Sequence, residues 1–225
     1  MIRVIQAFFA FLKKPDRLAY SDDTFQNQLS DILRIFVFIF CIVMFVAAPM
    51  LYLVGADELP NKLEELNNLG IDNPILRNLA LFGIAVVFAP LIEEFIFRYP
   101  LKFKRGSLFL LSVGIGACLI WLLTILLQND THAIYYGVGA FIIVAALLAW
   151  QSRDPEKLTL TSQRYFPSAF YVTALMFAAA HISNYELKFD QWMIAPVLVL
   201  PQFLLGLALG YVRIKYGLWL SLIHI

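Results

Sequence analysis

Long apolar runs dominate the chain from residue 31 onwards. A helix that crosses a hydrocarbon core of about 30 Å needs about 17–25 such residues. Six stretches reach that length: 31–54, 75–98, 107–127, 132–150, 168–184 and 192–213. A seventh begins near Tyr216 and is cut off at Ile225, too soon to cross. The runs lack the alternation of a membrane barrel, so the pattern predicts an all-α, polytopic transmembrane helix bundle of about seven spans, the last one truncated.

The first 30 residues differ in character from the rest and are predicted to form a separate cytoplasmic amphipathic segment. Apolar side chains recur at helical spacing from Ile2 to Leu12, and Pro15 ends the pattern. This predicts a helix in the membrane interface, with a loosely ordered tail as the alternative. Lys13 and Lys14 follow the apolar stretch instead of preceding it, which excludes a cleavable signal peptide. The membrane domain then covers residues 31–225.

Basic residues alternate between successive loops. They concentrate in the N-terminal segment and in three later connections: Arg3, Lys13, Lys14, Arg17 and Arg34; Arg98, Lys102, Lys104 and Arg105; Arg153, Lys157 and Arg164; Arg213 and Lys215. The connections between them are acidic or poor in Lys and Arg. Because cytoplasmic loops carry the excess of basic residues, we expect an integral membrane protein with a cytoplasmic N-terminus.

Composition narrows the function classes. Of 225 residues, 61% are hydrophobic and 15% charged, and the formal net charge is +1. The mean hydropathy is +0.76. So small a net charge offers no basic surface for nucleic acid. Two cysteines, both within apolar runs, exclude a disulfide framework and a CxxC metal site.

Two adjacent carboxylates, Glu93 and Glu94, lie inside the second predicted span. A charged residue within a span costs about 2.5–3.5 kcal/mol on insertion scales and usually marks a functional site. Glu94 and Arg98 are four residues apart on one helix face, so we expect them to form an ion pair and Glu93 to remain the free, reactive acid. Pro90 cannot donate to the carbonyl of Val86, so we expect the helix to kink or open just before Glu93. The alternative is that all three charges are interfacial.

Two histidines lie in other predicted spans, and they favour the interpretation that the two glutamates belong to a functional site. His181 follows Phe177 by one helical turn, which allows the two rings to pack together, and His224 lies in the last span. Ala178 to Ala180 are small enough to let a neighbouring helix approach. The third histidine, His132, is predicted at a loop edge and is given no role.

Together these residues resemble the CAAX-protease and bacteriocin-processing family of intramembrane glutamic endopeptidases. Its pattern is EExxxR, then FxxxH, then HxxxN; Glu93 to Arg98 and Phe177 to His181 match the first two, and His224 begins the third. The resemblance implies that Glu93 is the general base and His181 its partner in holding water. His224 would stabilise the oxyanion.

The resemblance further implies that Glu94 and Arg98 orient the site, without a metal or other cofactor. The partners would be membrane lipid and a peptide substrate, such as a prenylated or bacteriocin-type peptide, in a bacterial cell membrane. Counted from the predicted cytoplasmic ends, Glu93 and His181 differ in depth. They meet if the second span continues past Arg98, if the fifth starts after Phe170, or if a span tilts strongly. The asparagine of the third motif lies beyond Ile225, so the chain as given is expected to be incomplete at this site.

Three other functions remain open. Two histidines and a glutamate can ligate zinc, although no HExxH motif is present. A membrane immunity or scaffold protein of the same family would bind a partner without cleaving it. A proton-coupled transporter also uses buried carboxylates and histidines, but no internal repeat or paired broken helices support it.

Overall fold

The computed structural model describes residues 2–16, 21–56, 59, 73–102, 116, 155–185 and 187–222. The helices used below are α1 (Ile2–Lys13), α2 (Phe25–Leu53), α3 (Pro74–Leu101), α4 (Pro155–Ala180), α5 (Leu200–Tyr216) and α6 (Leu218–Ser221). Short 3-10 helices follow α4 at His181–Asn184 and precede α5 at Phe189–Ile194. The prediction of an all-α polytopic bundle is confirmed. The predicted spans 107–127 and 132–150 lie outside the described residues.

Four stretches of the described chain are long and apolar enough to cross a membrane: Phe25–Leu53, Pro74–Leu101, Gln163–Asn184 and Gln191–Tyr216. Each corresponds to a predicted span but extends beyond at least one predicted end. The predicted ends followed the apolar runs, whereas a helix continues for as long as its backbone hydrogen bonds can form. Arg34 lies within α2 and Arg213 within α5. Both stood at the ends of predicted spans and were also counted with the basic loops.

Wide helical turns precede the prolines inside two membrane helices. In α3 a π-helical segment, Gly83–Phe88, comes immediately before Pro90, and a second one covers Glu94–Arg98. In α2 the π-helical segment Val43–Ala47 likewise precedes a proline, Pro49. Because proline has no backbone N–H and its ring crowds the preceding turn, the helix changes hydrogen-bond register there instead of ending. The expected opening before Glu93 therefore takes the form of a π turn.

Two glycines on α5 let that helix pack closely against α4. A Cβ atom at Gly206 would lie 3.1 Å from Cδ1 of Phe177, and one at Gly210 would lie 2.7 Å from Cε2 of Phe170. The second distance is shorter than any ordinary carbon–carbon contact. The spacing of four residues places both glycines on one face of the helix, as in the small-xxx-small contacts of membrane helices. The small residues that allow the close approach therefore lie on α5. They let α5 pack against the face of α4 that carries Phe177.

The N-terminal helix α1 packs on the bundle, which confirms a helix over the loosely ordered alternative. Phe8 and Phe11 are buried, with ring centroids 5.3 Å from Tyr211 and 5.0 Å from Phe170, respectively. The hydroxyl of Tyr171 donates to the carbonyl of Leu12. Aromatic pairs in edge-to-face geometry contribute about 0.5–1.5 kcal/mol beyond their buried area. The amphipathic segment therefore helps to hold α4 and α5 together.

The end of α5 lies beside the start of α2. The hydroxyl of Tyr216 donates to Oδ2 of Asp31 over 3.1 Å, and the amide of Ser21 donates to the carbonyl of Lys215 over 3.0 Å. The chain direction of α2 leads away from this end and that of α5 leads towards it. The two helices are therefore antiparallel, with these two ends on one side of the bundle.

The α4–α5 contact generates a first prediction. We expect Gly210→Ala to lower the stability of the protein by about 1–3 kcal/mol, because the added methyl group must displace the buried Phe170 ring. Gly83→Ala is the matched control, since its Cβ would meet nothing within 4 Å. Thermal unfolding in detergent measures both variants. Equal melting temperatures for the two would contradict the close packing.

Candidate active site

The predicted site residues Glu93, on α3, and His181, in the 3-10 helix directly after α4, come together. Oε1 of Glu93 lies 4.0 Å from Nε2 of His181, and both side chains are about one quarter exposed, at 23% and 24%. Of the three arrangements that could make them meet, the structure has the first. The apolar helix continues past Arg98 to Leu101, which lengthens the part of α3 beyond Glu93, while α4 begins well before Phe170, at Pro155.

His181 is held by its own helix. Its Nδ1 atom lies 2.7 Å from the carbonyl oxygen of Phe177. A carbonyl oxygen can only accept, so Nδ1 carries the hydrogen, and in the neutral ring Nε2 presents a lone pair. The predicted ring contact with Phe177 is also present, with centroids 4.7 Å apart. These two contacts orient Nε2 towards Glu93.

Phe177 also contacts Arg98. The Cζ atom of Arg98 lies 4.2 Å from the centre of the Phe177 ring, a cation–π geometry that is worth most where water is excluded. Phe97, the residue before Arg98, packs edge-on against the same ring at 5.5 Å. Because Gly206 of α5 is also adjacent to Phe177, this one buried ring connects α3, α4 and α5 beside the carboxylates.

The pairing of charges differs from the prediction. Nη1 of Arg98 lies 3.9 Å from Oε2 of Glu93, so the prediction that Glu93 has no basic partner is wrong. Both carboxylates act electrostatically on Arg98. Glu94 forms an ion pair with α5, with its Oε1 atom 3.1 Å from Nε of Arg213. A helical-wheel argument considers one helix at a time, so it misses a cation that a neighbouring helix supplies.

Arg213 is the site residue that sequence reasoning missed. It was counted among the basic residues of a cytoplasmic loop, yet it is only 5% exposed. The sequence does contain a signal for its burial. Arg213 follows Gly206 by seven residues and Gly210 by three, which places it on the helix face that the two glycines mark as packed.

The remaining candidate, His224, lies outside the described residues, as does His132. Within the described part of the chain, no group of three or more His, Cys, Asp or Glu side chains is arranged to hold a metal ion. The carboxylates of Glu93 and Glu94 instead face the guanidinium groups of Arg98 and Arg213.

The fold and the site define a class: a polytopic helical membrane protein with a carboxylate–imidazole pair beside buried ion pairs. Comparison with known families agrees with that class. Residues 75–225, more than half of the chain, match the model of the type II CAAX prenyl endopeptidase Rce1-like family. The chain belongs to this family. No curated protein and no solved structure gives a significant match.

The buried charges generate a second prediction. We expect Arg98→Gln to destabilise the protein by about 3–5 kcal/mol, because removing one partner leaves buried carboxylate charge uncompensated. Arg34→Gln is the control. It breaks the 3.2 Å pair with Asp31, but Arg34 is 42% exposed, so the loss should stay below about 1 kcal/mol. Unfolding in detergent compares the two, and an equal loss would contradict a structural role for Arg98.

Proposed function

We propose that this protein is an intramembrane endopeptidase that hydrolyses a peptide bond of a membrane-associated substrate with a water activated by Glu93 and His181. Membership of the family implies CAAX endopeptidase chemistry. The observation that carries the residue assignment is the 4.0 Å separation between Oε1 of Glu93 and Nε2 of His181. These two atoms belong to different helices, and both side chains are partly accessible.

The separation suits a shared water. It is too long for a direct hydrogen bond, and both atoms are acceptors when the carboxylate is ionised and the imidazole is neutral. A water oxygen about 2.8 Å from each would subtend an angle of about 90°, near the angle between the O–H bonds of water. Such a water donates one hydrogen to Glu93 and the other to His181. Its lone pairs are then directed away, towards a substrate carbonyl.

Hydrolysis follows by general acid–base catalysis. As the water oxygen bonds to the carbonyl carbon, one water proton passes to Glu93 and the carbonyl π electrons move to oxygen. When the tetrahedral intermediate collapses, the carbon–nitrogen bond breaks and Glu93 returns the proton to the leaving amine. The products are a carboxylic acid and an amine, and Glu93 is again a carboxylate.

Other residues have supporting roles in this proposal. His224 would donate to the oxyanion, as the family resemblance implies, because a donor aimed at developing negative charge lowers the barrier. Arg98 and Glu94 would orient the site. The 3.9 Å contact of Arg98 with Glu93 supports this role, since it helps to fix the position of the carboxylate.

We propose a peptide carrying a lipid as the substrate, with a prenylated C-terminal segment as the form that the family name suggests. A lipid anchor would concentrate the peptide at the membrane, and the partly exposed Glu93 and His181 are the accessible part of an otherwise buried cluster. With a cytoplasmic N-terminus, the ends of α3 and α5 that carry Arg98 and Arg213 would lie on the cytoplasmic side.

The mechanism generates a third prediction. Glu93→Gln should lower the rate of peptide hydrolysis by a factor of about 10²–10⁴, because an amide cannot accept the proton from water. Asp22→Asn makes the same chemical change at an exposed position and should leave the rate unchanged. Cleavage of a prenylated peptide by the reconstituted protein measures both. Undiminished cleavage by Glu93→Gln would contradict the mechanism. A biological activity that persists in this variant without cleavage would indicate an immunity or scaffold protein.

The ion pairs generate a fourth prediction, which separates this mechanism from a metalloprotease. Chelators should leave hydrolysis unchanged, because Arg98 and Arg213 neutralise the carboxylates that a metal would otherwise bind. Activity in excess phenanthroline and elemental analysis of the purified protein provide the test. Loss of activity that stoichiometric zinc restores would favour the zinc alternative.

A further inference from the structure

A short, buried ion pair joins α5 to the second carboxylate of the site. Nε of Arg213 lies 3.1 Å from Oε1 of Glu94, and each of the two side chains is only 3% exposed. At this depth an unbalanced charge is strongly destabilising. Arg213 is thus built into the charged cluster, although it belongs to none of the three family motifs.

The charges of the cluster balance only when Arg213 is counted. Among the described residues, Glu93 and Glu94 supply two negative charges, Arg98 and Arg213 supply two positive charges, and His181 is the remaining titratable group beside Glu93. Removal of Arg213 would leave an excess of negative charge among these four described side chains, next to Glu93.

The same helix also supports the other half of the pair. Gly206 lies against Phe177, whose carbonyl oxygen accepts from Nδ1 of His181. Arg213, seven residues further on the same face, holds Glu94, the neighbour of Glu93. One helix therefore fixes both sides of the gap that the proposed water occupies.

We propose that Arg213 is a positioning residue for hydrolysis: by holding Glu94, the neighbour of Glu93 on α3, it keeps the carboxylate of Glu93 in place opposite His181. Arg213 does not contact the substrate in this role. The inference rests on the proposed function, because it assigns Arg213 a part in the same reaction.

A charge-balance series tests the inference in the reconstituted protein. Arg213→Gln should lower kcat at least tenfold with KM nearly unchanged, because the base is disturbed and substrate contacts are not. Arg213→Lys keeps the charge and should retain most of kcat. Arg213→Gln combined with Glu94→Gln removes one charge of each sign and should recover at least half of the lost activity on a logarithmic scale. Lys215→Gln, two residues along α5, should match the unaltered protein.

Two results would overturn the inference: an unchanged kcat in Arg213→Gln, or a double variant no more active than Arg213→Gln alone. If Arg213→Gln does not fold, the double variant decides. Folding with more than a tenth of the original kcat supports charge balance, and failure to fold or to cleave overturns it.

An independent readout separates this inference from the proposed function. The imidazole ¹⁵N signals of His181, assigned with His181→Gln, should shift in Arg213→Gln and return in the double variant, whether or not a peptide is cleaved. If the unaltered protein cleaves and Glu93→Gln does not, the proposed function stands even when the Arg213 series fails. If the unaltered protein does not cleave, the proposed function fails, and unshifted signals would then also reject the role of Arg213.

Discussion

Mutual neutralisation of buried charge is the constraint on which this structure depends. The burial of two adjacent glutamates inside an apolar helix is strongly unfavourable in free energy unless cations lie next to them. Arg98 supplies one cation from the same helix, and Arg213 supplies the other from α5. The positions of α3 and α5 relative to each other are therefore set by electrostatics as well as by shape.

The close packing of α5 makes that electrostatic arrangement possible. Gly206 and Gly210 bring α5 so near to α4 that aromatic rings fill the contact, and in a lipid environment such van der Waals packing replaces the hydrophobic effect as the source of association. Phe177 then bears on Arg98 and His181 together. Because Gly206 packs against this ring, the position of α5 influences the positions of both Arg98 and His181.

Sequence reasoning succeeded where a property belongs to a single segment. Hydropathy found the four described spans, the motif spacing selected Glu93 and His181, and the Phe177–His181 ring contact follows from helical periodicity. It failed where a π-helical turn changes the register within α3 and where two segments meet. Arg98 was predicted to leave Glu93 without a cation, and it lies 3.9 Å from it. Arg213 was assigned to a loop, and it is buried against Glu94.

By itself, then, the sequence determined the class of protein, the four described membrane helices and the residue types of the candidate site, because length, hydropathy and spacing are local quantities. Only the tertiary structure decided which cation meets which carboxylate and how near the carboxylate of Glu93 comes to the imidazole of His181. The physical reason is that a buried charge can be paired with a residue of another helix. The distance between two helices depends in turn on the volume of the side chains between them, which is smallest where glycines such as Gly206 and Gly210 lie.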